Sequence, residues 1–254
     1  MKDIYVAPRI PYDAWLRLSN EKDLLLERLP AILRPTRFGS APGRKRVLDV
    51  GCGTGHASLR VLSLFDSLGI PVMYVAADPY QEQLDRFRDA AAHRSDVTFL
   101  RARLEDIPRP PIPFDLVIAS HSLYYLRDWP RSIPYLLSLG NEALIVHHGS
   151  RGIDEVHRRF SKLVRDDAHI VSTCADLAPH LPGAAFHAFA SSVNVSSCHD
   201  PNSPDGHDLL SFFLMRDAGA IQDDARSDIC AWFRHKFPDG RMTHDVGVFV
   251  LTQP

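Results

Sequence analysis

The sequence predicts an α/β protein: a Rossmann-like parallel sheet with helices on both faces. A strand-type run, Val47-Leu48-Asp49-Val50, opens into glycines at alternate positions, Gly51, Gly53 and Gly55, and then into a helical pattern from His56. Short apolar runs then alternate with amphipathic ones as far as His147, as strand-helix units feeding a parallel sheet do. At 254 residues and 45% hydrophobic, the chain can bury a full core, and no Gly/Ser linker or repeat divides it. One domain spanning 1–254 is expected.

Residues 1 to about 36 read as helical, because Trp15, Leu16, Leu18, Leu24, Leu25, Leu26 and Leu29 recur at helix-compatible intervals. Ser19 and Asn20 are cap-type residues, and Pro30 and Pro35 limit the second run. After the first strand, His56 to Leu68 places Ala57, Val61, Leu64, Phe65 and Leu68 on one face, with Gly69 as its stop. Pro71 to Ala77 is continuously apolar, as a parallel strand buried on both sides should be, and it ends in Asp78. A helix from Tyr80 to Ala92, strands over 97–101, 115–120 and 142–147, and a proline-rich loop at 108–113 complete this half. From Gly149 the pattern changes. Helices are expected over 153–164, near Ala175, and over 208–216 and 220–237, with strands at 185–195 and 246–252. Five alternating strand-helix units and two late strands make seven strands.

The glycine loop needs backbone angles that other residues resist, and it leaves bare backbone for a ligand beside a helix N-terminus. The dinucleotide fingerprint would want a small residue where this chain has His56, and a Walker loop would want Lys and Ser/Thr after its last glycine. Both are disfavoured. Asp78, at the tip of the second strand, stands where a carboxylate can accept both ribose hydroxyls of a nucleoside; a cap for the following helix is the plainer role.

Lys+Arg number 29 and Asp+Glu 31, so the formal charge of −2 offers no general attraction to nucleic acid or to an anionic membrane. Arg44-Lys45-Arg46 before a buried strand reads as a solvated edge. Four separated cysteines, no signal segment and no spanning apolar run predict a reduced, cytoplasmic protein; a monomer or a homodimer is expected, and nothing in the sequence chooses between them. Of the 13 histidines, His147 and His148 are adjacent on a strand and point to opposite faces, and no HxxxH is present, so no metal is expected.

VLDVGCGTG (Val47 to Gly55) resembles the first motif of class I S-adenosylmethionine-dependent methyltransferases. The resemblance implies the seven-stranded methyltransferase sheet, its last strand antiparallel between its neighbours, and S-adenosylmethionine as cofactor. Asp49 would hold the methionine amino group, with the glycine backbone against its carboxylate and ribose. The position where many relatives carry an adenine-binding Asp is Arg103, which moves adenine recognition to the backbone near Leu104 or to Glu105. Ser120-His121-Ser122-Leu123-Tyr124-Tyr125 matches the motif beyond the fourth strand, where methyl group and acceptor meet.

Over nearly the whole chain the sequence is also similar to histamine N-methyltransferase and its bacterial relatives, through Ser19-Asn20-Glu21, Asp78 to Gln83, Ser122 to Leu126, His147 to Gly152 and Gly206 to Leu214 in order. This resemblance implies an N-terminal helical acceptor lid over 1–40, a cofactor half over 46–148 and an acceptor half over 149–254. It makes Glu21 the grip on a basic acceptor, with Tyr12, His121, His157, Phe213 and Asp245 as further acceptor contacts and Gln83 near the nucleoside. Two carboxylates, Glu21 and Asp245, would favour a small cation: an amine, an imidazole or a guanidine. Each has a plainer role, Glu21 as a first-turn helix acid and Asp245 as a turn residue. Something must also take the acceptor's proton, and His121, Glu21 and Asp245 are the candidates, although His121 could equally be structural. O- or carboxyl-methylation, or cofactor binding without turnover, are the alternatives.

Overall fold

The computed structural model describes residues 11–126, 128–164 and 172–252. In chain order these form α1 (Pro11–Leu18), α2 (Glu21–Leu33), α3 (Arg37–Ser40), β1 (Lys45–Val50), α4 (His56–Ser67), β2 (Val72–Asp78), α5 (Gln81–Ala90), β3 (Val97–Arg101), β4 (Phe114–Ser120), α6 (Trp129–Leu137) and β5 (Gly140–His148). There follow α7 (Ile153–Arg159), α8 (Cys174–Leu177), β6 (Ala185–Asn194), α9 (Pro204–Leu214), α10 (Asp223–Lys236) and β7 (Arg241–Thr252). Residues 1–10 of the expected lid lie outside the described residues.

The seven strands make one sheet in the order β3-β2-β1-β4-β5-β7-β6, so the expected late insertion of β7 beside β5 is present. The sheet is mixed, with helices on both sides. β1 pairs in parallel with β2 and with β4, Asp49 facing Ala76 on one side and Ile118 on the other. Chain order therefore reverses between β1 and β4, and the ends of β1, β2 and β4 lie side by side; such a switch point is where open sheets of this class leave a ligand crevice.

Two departures from expectation have simple causes. α2 continues through Pro30 to Leu33, because the proline removes one ladder bond while its own carbonyl still accepts from Arg34 N at 3.0 Å. β7 begins at Arg241, not at Val246: Met242, His244 and Val246 are buried and alternate with exposed or part-exposed residues, a half-buried strand that a search for continuous apolar sequence misses. α6, not foreseen, is a proline-containing helix capped by the Asp128 side chain.

The chain divides into two compact units. The larger comprises described residues of 25–147, 174–188 and 247–252. Its core on one sheet face joins Leu48, Val50, Val117, Ala119 and Ile145 to Leu104, Ile133, Leu136 and Phe249. The smaller comprises described residues of 11–24, 148–173 and 189–246. Its core is aromatic: Phe213 stacks on Phe233 at 5.9 Å and receives Trp15 edge-on at 6.1 Å, within a cluster of Val193, Leu209, Leu210 and Ile229.

Two residues expected at the acceptor pocket belong to this core. Phe213 and His157 are both buried, and His157 Nε2 lies 2.7 Å from the Phe213 carbonyl oxygen, to which it donates. Burial pushes the His157 imidazole down to about 4. The folded value is below that of the free side chain, so this contribution to stability is complete above about pH 6.5 and is lost as pH falls towards 4. His157→Gln keeps a donor for the carbonyl and removes the titration. It should abolish up to about 3 kcal/mol of the acid-induced loss over that window, measured by urea unfolding at pH 7.5, 6 and 5.

Candidate active site

In the larger unit, the loop after β1 has all three glycines in the left-handed region, φ being 75° at Gly51, 56° at Gly53 and 77° at Gly55. Each is glycine for a different reason. A Cβ at Gly55 would stand 2.1 Å from the Phe87 ring, and one at Gly51 would stand 2.6 Å from Ser122 Cβ. At Gly53 a Cβ would meet nothing within 4 Å. Two glycines thus let the loop press against α5 and the segment after β4, and the middle one turns bare backbone to open space.

Acids brace the loop. Asp78 Oδ2 accepts from Gly53 N at 3.0 Å and Oδ1 from Tyr80 N at 2.9 Å, so Asp78 braces the turn that leads into α5 and ties down the loop, while α5 itself has no side-chain cap at Tyr80. Each oxygen keeps a further lone pair for a hydroxyl. Asp49 is buried and its Oδ2 accepts from Ser58 Oγ at 2.6 Å and Tyr74 OH at 2.8 Å. Burial pushes the Asp49 carboxyl up to about 6 in spite of those two donors. A carboxylate raised in the fold is a cost above about pH 6 that fades as pH falls towards 4. Asp49→Asn should therefore stabilise the protein at pH 7.5, by at most about 3 kcal/mol, and by much less at pH 4.5. The same variant should bind donor more weakly if the carboxylate holds the methionine amino group; thermal melts at the two pH values and calorimetry with S-adenosylhomocysteine read the two effects separately.

Beyond β4, Ser120 Oγ and Ser122 Oγ are buried with no hydrogen-bond partner among the described residues, and Ser122 is the residue against Gly51. His121 lies between them in the left-handed region at φ 51°, its N–H donating to Val146 O at 2.9 Å. For a non-glycine residue that conformation is strained, and strain of this kind collects at functional sites. Gln83 is buried on α5, and Leu104 sits in the core on a short 3-10 turn while Glu105 is exposed beside it.

Other expected acceptor contacts fall in the smaller unit. Glu21, at 1% exposure, opens α2; its Oε1 lies 2.6 Å from Lys22 Nζ, and its Oε2 lies 3.4 Å from Nε2 of the fully buried His244. His244 stands edge-on to Trp15 at 5.1 Å and 6.2 Å from His148, which is 6.3 Å from His157. Tyr12 packs on Phe212 at 5.6 Å, and burial holds its hydroxyl above the ordinary tyrosine range. Asp245 is in a two-point pair with Arg151, 2.8 Å to Nε and 2.7 Å to Nη2. Both expected acceptor carboxylates are thus ion-paired, Glu21 with Lys22 and Asp245 with Arg151. Lys22 and Arg151 carry no sequence signal for these roles. His244 alone had a visible signal, the two-residue alternation with Met242 and Val246.

Residues 47–138 match the family model described as a methyltransferase domain. The chain is 28% identical over 122 residues to malonyl-[acyl-carrier protein] O-methyltransferase of Bacillus cytotoxicus, covering 46% of this chain and 40% of that protein. It is 32% identical over 108 residues to 27-O-demethylrifamycin SV methyltransferase of Amycolatopsis mediterranei, covering 41% and 35%. The chain therefore spans about two fifths of the length of these curated relatives. Its fold is that of magnesium protoporphyrin IX methyltransferase from Synechocystis PCC 6803, solved with bound S-adenosylhomocysteine, at 14% identity and a TM-score of 0.54 over 97% of this chain and 90% of that one. S-adenosylmethionine is the cofactor that goes with the domain. The larger unit fits it: open backbone at Gly53, an acid at the tip of β2 and unpartnered serine hydroxyls at the tip of β4. Among the described residues, no helix is long and apolar enough to cross a membrane.

Proposed function

We propose that the chain transfers a methyl group from S-adenosylmethionine to a nitrogen of a small basic metabolite, an amine, imidazole or guanidine that is a cation in solution and reacts as its neutral form. The observation that carries the donor half is the contrast within the loop: Gly51 and Gly55 are packed shut, and Gly53 is open. The bound cofactor supplies a methyl group on a positively charged sulfur, already a good leaving group. Alignment is then the chain's main contribution. Gly53 leaves room for the donor's amino-acid end, Asp78 offers its remaining lone pairs to the ribose, and Gln83 and the backbone around Leu104 receive the nucleoside.

For the acceptor half, Glu21 takes an acceptor N–H, with Tyr12 beside it, and residues of the smaller unit together with α1 and α2 serve acceptor recognition. A protonated nitrogen has no lone pair, and a bare carboxylate would hold the proton in place. Lys22, 2.6 Å from Glu21, offsets that charge and so favours a neutral nitrogen. His121 takes the proton released. Histidine as a residue type titrates near neutral pH, and the position of His121 between two serines beside the glycine loop supports that role. Asp245 holds Arg151 and is assigned no part in the transfer. The sequence motifs that resemble those of histamine N-methyltransferase favour a nitrogen acceptor.

Oxygen methylation is the second reading, favoured by the two O-methyltransferase relatives and by Lys22, whose ammonium could steady an oxyanion. A panel of imidazoles, amines, guanidines, phenols and carboxylic acids, read by S-adenosylhomocysteine release and product mass, separates the two. Methylated nitrogen products are expected; products only from phenols or acids would select the second reading, and cofactor binding with no turnover of any class would leave a binding module. With an accepted substrate, His121→Ala should lower kcat about a hundredfold and flatten the pH profile.

A further inference from the structure

At the other end of the larger unit's strands is a cavity of about 310 Å³ lined by Arg37, Phe38, Ala41, Lys45, Asp115 and Asn141. Lys45, Asp115 and Asn141 stand at the starts of β1, β4 and β5, whereas the glycine loop follows the end of β1. The length of β1 separates the two places by roughly 20 Å.

Lys45 is only 5% exposed, and among the described residues no carboxylate is within ion-pair distance of its ammonium. The nearby acids are engaged elsewhere. Asp115 Oδ2 accepts from Arg46 N at 2.7 Å, and Glu142 accepts from Arg37 N at 2.9 Å and Phe38 N at 2.7 Å. A lysine that is mostly buried and lines a cavity with no carboxylate at ion-pair distance among the described residues favours an anion in that cavity. Arg37 adds a second cation with a planar fork suited to an oxyanion, and Asn141 adds an amide donor. Asp115 Oδ1 can still accept, which suits an anion that keeps one proton. A carboxylate has none to give; a hydrogen phosphate group has one, with further oxygens for the cations. Phe38 and Ala41 line the remainder with apolar surface.

We propose that this cavity is a second ligand site, built for a phosphate monoester and separate from the donor crevice. The test is calorimetric titration of the full chain with inorganic phosphate, glycerol 3-phosphate and adenosine monophosphate in a chloride buffer. Saturable binding of phosphate is expected, with the two esters showing which organic portion fits. Lys45→Met should weaken it at least about tenfold, and so should Arg37→Ala, whose side chain is exposed and not needed for folding. Gly53→Ala, altered at the donor loop, should bind phosphate as the parent does. Should Lys45→Met fail to fold, Arg37→Ala and Asn141→Ala decide. The proposal fails if the parent binds none of the three compounds saturably, if binding survives the cavity substitutions, or if Gly53→Ala abolishes it.

Discussion

Gly53→Ala is expected to weaken S-adenosylhomocysteine binding by about ten- to hundredfold while costing the fold only about 1–2 kcal/mol, and Gly55→Ala to do the reverse. Both residues have positive φ, so both substitutions carry the strain of the left-handed region, roughly 1–2 kcal/mol. What differs is the space. At Gly53 the added methyl meets no protein atom within 4 Å and enters the volume assigned to the donor. A methyl forced into an occupied site costs about 1–3 kcal/mol, which is the stated range of affinity. At Gly55 the methyl would stand 2.1 Å from the Phe87 ring, which is fully buried and packed edge-on against Phe99 at 5.2 Å. That ring has nowhere to go, so overpacking adds to the strain and the loss should reach about 3 kcal/mol or more. Urea unfolding gives the stability arm and calorimetry the affinity arm. If Gly53→Ala binds the cofactor product as tightly as the parent, the donor does not lie along this loop.

That contrast also marks how far the sequence alone can be read. The need for glycine after β1 is legible, because alternating glycines between a strand and a helix have few other uses. Which glycine serves the protein and which the ligand is not, since that depends on Phe87 and Ser122, brought to the loop by the fold. The strands of the cofactor half are legible for a similar reason: parallel strands buried on both faces read as continuous apolar runs. The start of β7 was less so, because one of its faces is solvated and its inward positions include a histidine. The partners of the two acids, Glu21 and Asp245, are hidden for another reason. Arg151 lies 94 residues from Asp245, and nothing in a single sequence links them. Lys22 is next to Glu21 but was passed over, because adjacent residues inside a helix do not face each other. Glu21 is the first residue of α2, where a flexible lysine can reach back along the entering chain.

The Glu21–Lys22 pair leads to the other large expected effect: Glu21→Gln and Lys22→Met should each cost about 3 kcal/mol or more, and the double variant clearly less than their sum. Both side chains are buried, at 1% and 7% exposure, with 2.6 Å between Nζ and Oε1. Removing one partner takes a counter-charge from the other in an environment that solvates it poorly, whereas removing both takes away the two charges together. Asp245→Asn is the control, because its pair with Arg151 is solvated on the arginine side, and exposed pairs are worth about 1 kcal/mol or less. A double-mutant cycle by urea unfolding measures the coupling. Two small, additive single losses would mean that the pair does not act as a buried unit. Kinetics then separate structure from recognition: Glu21→Gln should raise KM for the acceptor, and Lys22→Met, which leaves Glu21 with less opposing charge, should favour the protonated acceptor and move the pH optimum upward. Asp245→Asn should leave acceptor KM unchanged. A KM that rises in Asp245→Asn and stays constant in Glu21→Gln would exchange the parts given to the two acids, and with them the charge of the acceptor the site prefers.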